Sequence, residues 1–478
     1  MSDRVEVDEK PVTGSADLFV RHGFVVAANR LPVRKVDDGG WALSPGGLVT
    51  ALTPVMKARE SAWIGWSGDI DDALPPFRHD DVTLHPVNLS QREHDNYYEG
   101  FSNGTIWPLY HSGALSTQYH RHWWDAYRRV NERFARQAII STAEGGTLWV
   151  HDYHLQLVPE MVRNARPDLK IGFFLHTPFP PGELFHRLPW RENIARGLMG
   201  ADIIGFQTPD DARHFLNVCR RVLDMPAVLI DEPSVTMPWN GRDVTIGSFP
   251  ISVDVDAVEA LATDPSVVAA AEQLRIDVGS PRKLLLGVDR LDYTKGIDVR
   301  LRALKELLES GEVAADDVAF IQVATPSRDD VRGYSDMREQ IERLVSEING
   351  NFARMGHPVV QYLHQSFGFE DLMAMYRAAD VMLVTPYRDG MNLVAKEFVA
   401  SKIDDQGSLI LSEFAGTAQE FTEARLCNPF DLDGVKNVLR QALQSPPEEQ
   451  ARRMSAMRAT LKANTVHDWA GRFLKELD

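Results

Sequence analysis

Short, almost wholly apolar runs alternate with amphipathic stretches along most of this chain, and that alternation limits the folds available to it. An apolar run without polar alternation suits a strand that helices cover on both faces, as in a parallel sheet. Such runs predict strands at residues 23–28, 62–66, 147–151, 170–176, 202–206, 244–249, 283–288, 318–324, 359–363, 380–385 and 408–412. Amphipathic stretches predict helices at residues 155–165, 296–310, 331–349, 369–378 and 391–402. The pattern therefore predicts an α/β fold with doubly wound parallel sheets.

The predicted strands are more than one such sheet usually holds, and 478 residues are many for a single core. Strand character gives way to polar residues near position 250. We therefore predict two Rossmann-like domains, at residues 18–249 and 250–450, that face each other across a cleft. Residues 1–17 lack an apolar segment and are expected to form a flexible tail. The last helical pattern predicts a C-terminal helix, at residues 451–478, that packs back towards the first domain.

Charge and cysteine content restrict the partners and the compartment. Acidic residues outnumber basic ones by 68 to 51, which gives a net charge of −17. Nucleic acids and anionic membranes bind basic faces, so neither is an expected partner. No apolar run is long enough to span a bilayer, and the first residues do not resemble a signal peptide. Cys219 and Cys427 lie far apart without metal-ligand spacing, which favours reduced thiols. These features predict a cytoplasmic protein.

Charged and polar residues follow the predicted strands at the points where the strands end. Ligands of doubly wound folds bind in the crevice outside these carboxyl ends. The first domain contributes Arg30, His151, Asp152, His154 and His176, and the second contributes Arg290, Lys295, Arg328, Asp389 and Glu397. Four cations and several carboxylates at corresponding positions exceed what solubility requires. They favour a cleft that binds an anionic, hydroxyl-rich ligand.

The segment "LLLGVDRLDYTKG", residues 284–296, is the clearest of these strand ends. Its apolar run stops abruptly and is followed by two carboxylates and by the cations Arg290 and Lys295. One interpretation is a solvated loop with incidental charges. The other is a binding site for an anionic group at the carboxyl edge of a sheet.

The segment 385–397, "TPYRDGMNLVAKE", reads as a turn into a helix. Its first amides, at residues 390–393, would have no partner within the helix and would form an anion site. Asp389 and Glu397 lie about two helical turns apart, so they can reach different hydroxyls of one elongated ligand. The alternative makes Asp389 an ordinary N-cap and Glu397 a surface residue.

Two further segments suit a sugar phosphate but are less specific. "SPGGL", residues 44–48, is a turn whose glycines, Gly46 and Gly47, let the backbone approach a phosphate closely. Tyr98 and Trp107 lie among polar turn residues and could stack on a sugar ring. Ordinary loop chemistry and ordinary core packing are the respective alternatives.

No metal site is predicted. His151 and His154 lie three residues apart at a strand end and have no evident third ligand. Walker A and dinucleotide-binding G-x-G-x-x-G motifs do not occur in the sequence, and no G-x-S-x-G elbow between a predicted strand and a predicted helix is present.

Taken together, the motifs resemble the trehalose-6-phosphate synthase family. They run in family order from about residue 23 to 430: "NRLP", "SPGGL", "GWSG", "YYEGFSNGTIWP", "WVHDYHL", "FFLHTPFP", "GFQT", "GVDRLDYTKG" and "TPYRDGMNLVAKEF". The resemblance implies two Rossmann-like domains in the GT-B arrangement. It also implies transfer of glucose from UDP-glucose to glucose 6-phosphate with retention at the anomeric carbon. The family needs no metal or other cofactor for this chemistry.

The resemblance also implies roles for individual residues. The catalytic set would be Arg290, Lys295, His176 and Asp389. The donor would meet Gly46, Gly47, Arg290, Lys295, Phe367, Asp389, Gly390, Met391, Asn392, Leu393, Val394 and Glu397. The acceptor would meet Arg30, Tyr98, Trp107, Asp152 and Arg328. Within these sets, Arg290 and Lys295 would hold the diphosphate, and Arg30 and Arg328 the 6-phosphate.

The resemblance further implies a homo-oligomer, dimeric or tetrameric, and a separate trehalose-6-phosphate phosphatase as functional partner. Three other functions stay open at this point. A different retaining GT-B transferase or a nucleotide-sugar epimerase would use the same architecture. A catalytically inactive sugar-phosphate sensor would belong to another class, but the intact Arg290, Lys295, Asp389 and Glu397 disfavour it.

Overall fold

The computed structural model describes residues 20–36, 40–44, 47–57, 60–112, 117–227, 234–326 and 332–477. The predicted tail, the glycine at position 46 and the arginine at position 328 lie outside these ranges. All eleven strands predicted from apolar runs are present within them. The five predicted helices are present as well.

The first sheet comes from the N-terminal half of the chain. The strands of that half are β1 (His22–Arg30), β2 (Val33–Lys35), β3 (Trp41–Leu43), β4 (Ser61–Trp66), β5 (Phe77–His79), β6 (Val82–Pro86), β7 (Thr142–His151), β8 (Lys170–Phe174), β9 (Ile203–Phe206), β10 (Ser234–Trp239) and β11 (Arg242–Ser248). The sheet order is β10-β11-β9-β8-β7-β1-β4-β6-β5, while β2 and β3 form a separate hairpin. Its inner pairs are parallel, and only the outermost pair at each edge is antiparallel.

The second sheet comes from the C-terminal half and is parallel throughout. Its strands are β12 (Lys283–Arg290), β13 (Val318–Thr325), β14 (Val360–Leu363), β15 (Val381–Val384), β16 (Ser408–Ser412) and β17 (Arg425–Cys427). Their order is β14-β13-β12-β15-β16-β17. The two sheets use residues on opposite sides of position 250, and the exact domain limits stay a prediction.

Helices cover both sheets. They are α1 (Gly47–Lys57), α2 (Gln91–Glu93), α3 (Trp107–Tyr110), α4 (Arg121–Ser141), α5 (Val158–Ala165), α6 (Gly182–Phe185), α7 (Arg191–Leu198), α8 (Pro209–Val222), α9 (Val255–Ala262), α10 (Pro265–Asp277), α11 (Ile297–Glu309), α12 (Arg332–Phe352), α13 (Phe369–Ala378), α14 (Leu393–Ser401), α15 (Leu432–Leu443), α16 (Pro447–Lys462) and α17 (Val466–Leu477). None of them, in the described part of the chain, is both long and apolar enough to cross a membrane.

Each sheet has one point at which the order of its strands reverses. In the first sheet β4 and β6 lie on one side of β1, and β7, β8 and β9 lie on the other. In the second sheet β13 and β14 lie on one side of β12, and β15, β16 and β17 lie on the other. Connections diverge at such a point and leave a crevice at the strand carboxyl ends. The crevices therefore lie beside Arg30 and His151 in one domain and beside Arg290 and Thr385 in the other.

The C-terminal pattern is two helices, so the expectation of a single helix was wrong. The break falls after α16, where the Thr465 hydroxyl accepts a hydrogen bond from the Asp468 amide and caps α17. The second helix packs on the first sheet, with the ring of Phe473 stacked 4.8 Å from that of Trp149. Gly172 lies beneath Phe473, where a Cβ atom would meet the phenyl ring. A glycine in the strand therefore makes room for the helix.

Tyr98 lies in a helix and not in the polar turn expected from the sequence. Residues His94–Ile106 form a π-helix that continues directly into α3. The amide of Trp107 donates to the carbonyl of Ser102, five residues earlier. Glycine and asparagine in this segment hid the helical periodicity, because both lower helix propensity. π-helical turns are frequent at functional sites.

Candidate active site

A cavity of about 310 Å³ lies between the carboxyl ends of the two sheets. Both domains line it, as the facing crevices require. Trp107, His111, Asp152, His176, Thr177 and Gln207 come from the part of the chain before position 250, and Ile251, Arg290, Lys295, Asp389, Met391, Asn392 and Leu393 come from the part after it. The cavity thus gathers seven of the residues that the resemblance assigned to the donor or the catalytic set, together with two of the acceptor set.

The carboxylates of the "DRLDYTK" segment have structural partners. Asp289 accepts a hydrogen bond from Arg300 at 2.8 Å, and both side chains are buried. Asp292 accepts from the amide and the hydroxyl of Thr294, and from the hydroxyl of Tyr334. These contacts fix the turn that follows β12. Because its carboxylates are engaged, the segment presents cations to the cavity.

The two cations reach the cavity in different ways. The Arg290 guanidinium lies 5.2 Å from the ring centroid of Trp107, a cation–π contact across the cleft. The Lys295 ammonium lies 2.6 Å from Asp389 Oδ2. Burial would raise the pKa of Asp389, but Lys295 and Asn392 hold it below its ordinary value. Asp389 is therefore ionised and paired.

The helix start at α14 is capped by Asn392 and not by Asp389. The Asn392 side chain accepts from the amide of Ala395 at 3.0 Å, while Asp389 accepts from the Asn392 amide group at 3.0 Å. The alternative of Asp389 as an ordinary N-cap is therefore wrong. The amides of Leu393 and Val394 belong to the first turn and have no acceptor within the helix. Leu393 lines the cavity, so this helix start faces it.

Gly390 brings the two domains into backbone contact. A Cβ atom at this position would clash with the carbonyl oxygen of His176. Two residues earlier, Arg388 donates to the hydroxyl of Ser112 and to the carbonyl of Phe179, both in the first half of the chain. The loop between β15 and α14 is therefore held against the opposite domain.

Glu397 and Phe367 do not belong to the lining of this cavity. Glu397 accepts a hydrogen bond from the hydroxyl of Tyr376 at 2.9 Å. Burial raises the pKa of Glu397 to about 7. Phe367 is half-buried against the core beside α14. Both stay predicted donor contacts, as does Val394.

Arg30 and Tyr98 form one flank of the site. The Arg30 guanidinium lies 4.0 Å from the ring centroid of Trp66 and 5.7 Å from that of Tyr98. Tyr98 stacks on His154, with ring centroids 6.0 Å apart. His154 Nδ1 lies 4.0 Å from Asp152 Oδ2. These contacts connect the Arg30 flank with the cavity, and their roles toward an acceptor stay predictions.

Asp152 has a strained backbone and a perturbed carboxyl. Its φ is 72°, an unusual value for a residue other than glycine. Burial raises the pKa of Asp152 to about 6, against backbone hydrogen bonds that include one from the His176 amide at 3.2 Å. Strain of this kind clusters at active sites. The carboxylate is held beside the cavity close to its point of protonation.

His176 is neutral. Burial lowers its pKa to about 3, and its Nε2 lies 3.1 Å from Nδ1 of His151. Burial lowers the pKa of His151 also. One proton is shared along this contact, so Nδ1 of His176 serves as donor or acceptor according to the tautomer.

Four cavity residues were not singled out from the sequence: His111, Thr177, Gln207 and Ile251. His111 follows Trp107 by one helical turn, so helical spacing could have placed it on the same face. Gln207 accepts from the Ile251 amide at 3.0 Å, and the carbonyl of Ile251 accepts from Lys396 of α14 at 2.7 Å. This connection between domains depends on the fold and leaves no local signal.

Among the described residues, no three His, Cys, Asp or Glu side chains are grouped so as to hold a metal ion. The expectation of a metal-free reaction stays a prediction.

Comparison with known proteins decides the family. The model of glycosyltransferase family 20 matches residues 20–478. The chain belongs to glycosyltransferase family 20. It is therefore a glycosyltransferase, as the motifs predicted, and the prediction of the trehalose-6-phosphate synthase family is confirmed.

Two trehalose-6-phosphate synthases are similar to this chain over nearly its whole length. Trehalose-6-phosphate synthase of Mycobacterium sp. strain KMS is 51% identical over 475 residues, which are 98% of this chain and 96% of that protein. The same-named protein of Mycobacterium tuberculosis strain H37Rv is 50% identical over 478 residues, covering 97% and 96%.

Solved structures of similar proteins also match the fold of this chain. The alpha,alpha-trehalose-phosphate synthase (UDP-forming) of Burkholderia xenovorans, in complex with glucose-6-phosphate, matches with a TM-score of 0.88 and 35% identity, covering 95% of this chain and 100% of that chain. A structure from E. coli bound with UDP-2-fluoro glucose matches with a TM-score of 0.86 and 34% identity, covering 95% and 98%. The predicted two-domain GT-B fold is confirmed by these matches.

Proposed function

We propose that this glycosyltransferase transfers glucose from UDP-glucose to glucose 6-phosphate, forming trehalose 6-phosphate and UDP. One observation carries the proposal. Arg290, Lys295 and the start of α14 converge on a single cavity from one domain, and Asp152 and His176 face them from the other. Relatives that bind glucose-6-phosphate and a UDP-glucose analogue support the choice of substrates.

The chemistry needs stabilisation of the leaving group above all. Breaking the bond between glucose and phosphate leaves negative charge on UDP, and fixed cations and amides at that point lower the barrier. Each charge-assisted hydrogen bond from Arg290 or Lys295 contributes about 1.5–3 kcal/mol. In this proposal Lys295 leaves part of its contact with Asp389 to meet the diphosphate, and Asp389 turns its free oxygen to hydroxyls of the donor glucose.

Retention at the anomeric carbon follows from attack on the same face. Asp389 is held by Lys295 and Asn392, and Asp152 accepts from the His176 amide, so each carboxylate already has fixed partners. We therefore assign neither as a covalent nucleophile. The acceptor hydroxyl attacks as the diphosphate leaves, and the departing phosphate oxygen takes the hydroxyl proton.

The identity of the products tests the proposal directly. The protein is incubated, without added metal, with glucose 6-phosphate and in turn with UDP-, GDP- and ADP-glucose, and the product is identified by NMR. The expected product is an α,α-linked disaccharide phosphate that requires both substrates. Consumption of donor without glucose 6-phosphate would favour an epimerase, and binding without turnover would favour an inactive sensor.

Arg328→Ala is expected to raise the KM for glucose 6-phosphate and to leave the KM for UDP-glucose nearly unchanged. The reason is that the family resemblance assigns this cation, with Arg30, to the 6-phosphate. Initial rates over a grid of both substrate concentrations separate the two constants. A change in donor dependence alone would show that the acceptor assignment is wrong.

The rate is expected to fall in acid because Asp152 must be ionised to accept a hydrogen bond from the acceptor. With a pKa of about 6, the carboxyl is ionised above that pH and becomes protonated below it. The phosphate of the acceptor also titrates near pH 6. The logarithm of kcat/KM for glucose 6-phosphate should therefore decline below pH 6 with a slope of about two, one from each group. Asp152→Asn should reduce that slope to about one; an unchanged slope would contradict the role of Asp152.

The proposal includes a homo-oligomeric assembly and a separate phosphatase that removes the 6-phosphate from the product. Size-exclusion chromatography with light scattering measures the oligomeric state. A coupled assay with a sugar phosphatase measures whether such an enzyme can act on the released product.

A further inference from the structure

His111 is a cavity residue for which the mechanism above has no role. It follows α3 and is only 3% exposed, yet it lines the cavity together with Lys295 and Asp389. Its ring centroid lies 4.0 Å from that of Trp107. A buried imidazole at the contact of two domains has a fixed orientation, and that orientation determines what it offers to a ligand.

The hydrogen bond of His111 fixes its tautomer. Nδ1 lies 2.8 Å from the carbonyl oxygen of Trp107, which can only accept, so Nδ1 carries the proton. Burial lowers the pKa of His111 to about 4, so the ring is neutral near pH 7. Nε2 then has a lone pair and no proton, and it is a hydrogen-bond acceptor.

Several hydrogen-bond donors share the cavity with His111. Arg290, Lys295 and the start of α14 all donate, and Lys295 and Asn392 both donate to Oδ2 of Asp389, which leaves its other oxygen as the acceptor on that side. The next residue, Ser112, accepts a hydrogen bond from Arg388 of the opposite domain at 3.2 Å. His111 is thereby held beside the Asp389 loop. A hexose bound there has hydroxyl protons that need acceptors.

We propose that Nε2 of His111 accepts a hydrogen bond from one hydroxyl of the transferred hexose and so helps to determine which sugar is transferred. This inference rests on the proposed function, because it takes the hexose of the nucleotide sugar as the occupant of this part of the cavity. A site that hydrogen-bonds a hydroxyl rejects the analogue that lacks it, since the acceptor is then left unpaired.

Two variants separate the acceptor from the packing. In His111→Asn the side-chain amide can still donate to Trp107, but nothing occupies the position of Nε2. In His111→Gln a carbonyl oxygen can replace Nε2 as acceptor. Each is assayed with UDP-glucose and with its 2-, 3-, 4- and 6-deoxy analogues, and thermal unfolding checks that each is folded.

His111→Asn is expected to lower kcat/KM for UDP-glucose about tenfold to a hundredfold. One deoxy analogue should lack the hydroxyl that His111 binds, so the wild type should already have a kcat/KM for it that is lower by a similar factor. His111→Asn should lower kcat/KM for that analogue little further. His111→Gln should recover part of the discrimination. Equal losses on all five donors would mean a purely structural role and would overturn the proposal, as would unchanged kinetics.

The proposed function and the role of His111 can be tested separately. Absence of any disaccharide product with the wild-type protein would remove the proposed function and this inference with it. An active wild type whose variants do not distinguish the deoxy donors would remove only the inference about His111.

Discussion

Arg290→Ala and Lys295→Ala are each expected to reduce kcat by at least about a hundredfold. Each removes a fixed donor from the place where charge develops on the leaving diphosphate, and such losses typically cost this much. The two cations contact different partners, since Arg290 lies over Trp107 and Lys295 is paired with Asp389. The measurement is the initial rate with both substrates saturating.

The contacts of each cation determine the control and show which of the two variants is easier to interpret. Lys305→Ala removes a partly exposed lysine that pairs with Glu347 on α12, and it should leave kcat unchanged. Lys295→Ala also leaves Asp389 without its cation, so part of its effect could come from that carboxylate. Arg290→Ala leaves the pair of Lys295 and Asp389 intact, because the Arg290 guanidinium contacts the ring of Trp107. Activity near the wild-type level in Arg290→Ala would remove the proposed diphosphate site.

Gly390→Ala is expected to reduce kcat/KM at least about a hundredfold while the protein stays folded. The added Cβ would clash with the carbonyl oxygen of His176, so the Asp389 loop and the opposite domain must separate. A misplacement of about 1 Å can cost about a hundredfold in rate, because the reacting groups must be close and oriented. The measurement combines steady-state kinetics with the midpoint of thermal unfolding.

Gly350→Ala is the matched control. Gly350 lies in α12, and a Cβ atom there would meet nothing within 4 Å. This substitution should leave the kinetics unchanged and raise the helix propensity slightly. If Gly390→Ala were as active as Gly350→Ala, close approach of the two domains at this residue would not be needed for the reaction.

The sheets were predictable because their central strands are buried on both faces and consist of continuous apolar runs. Every residue of β4 is buried, for example. The edge strand β10 has one buried residue, Met237, and contains a proline, so the apolar run that marks the central strands is missing. Strand β5 is only three residues long. Edge strands of this kind depend on their neighbours more than on their own residues.

The sequence predicted those site residues that directly follow a strand. Arg290 and Lys295 were found because they follow an apolar run. The engagement of Asp289 and Asp292 within their own domain was harder to foresee, since Arg300 lies 11 residues after Asp289 and Tyr334 lies 42 residues after Asp292. Likewise the pairing of Lys295 with a carboxylate 94 residues away depends on the reversal of strand order beside β12.

The central claim is that the diphosphate of the nucleotide sugar lies against Arg290, Lys295 and the first amides of α14. The most direct measurement is a crystal structure of the protein with UDP. We predict phosphate oxygens within hydrogen-bond distance of both side chains and of the Leu393 or Val394 amide. Density for the diphosphate elsewhere, with these groups in contact only with protein or solvent, would contradict the account.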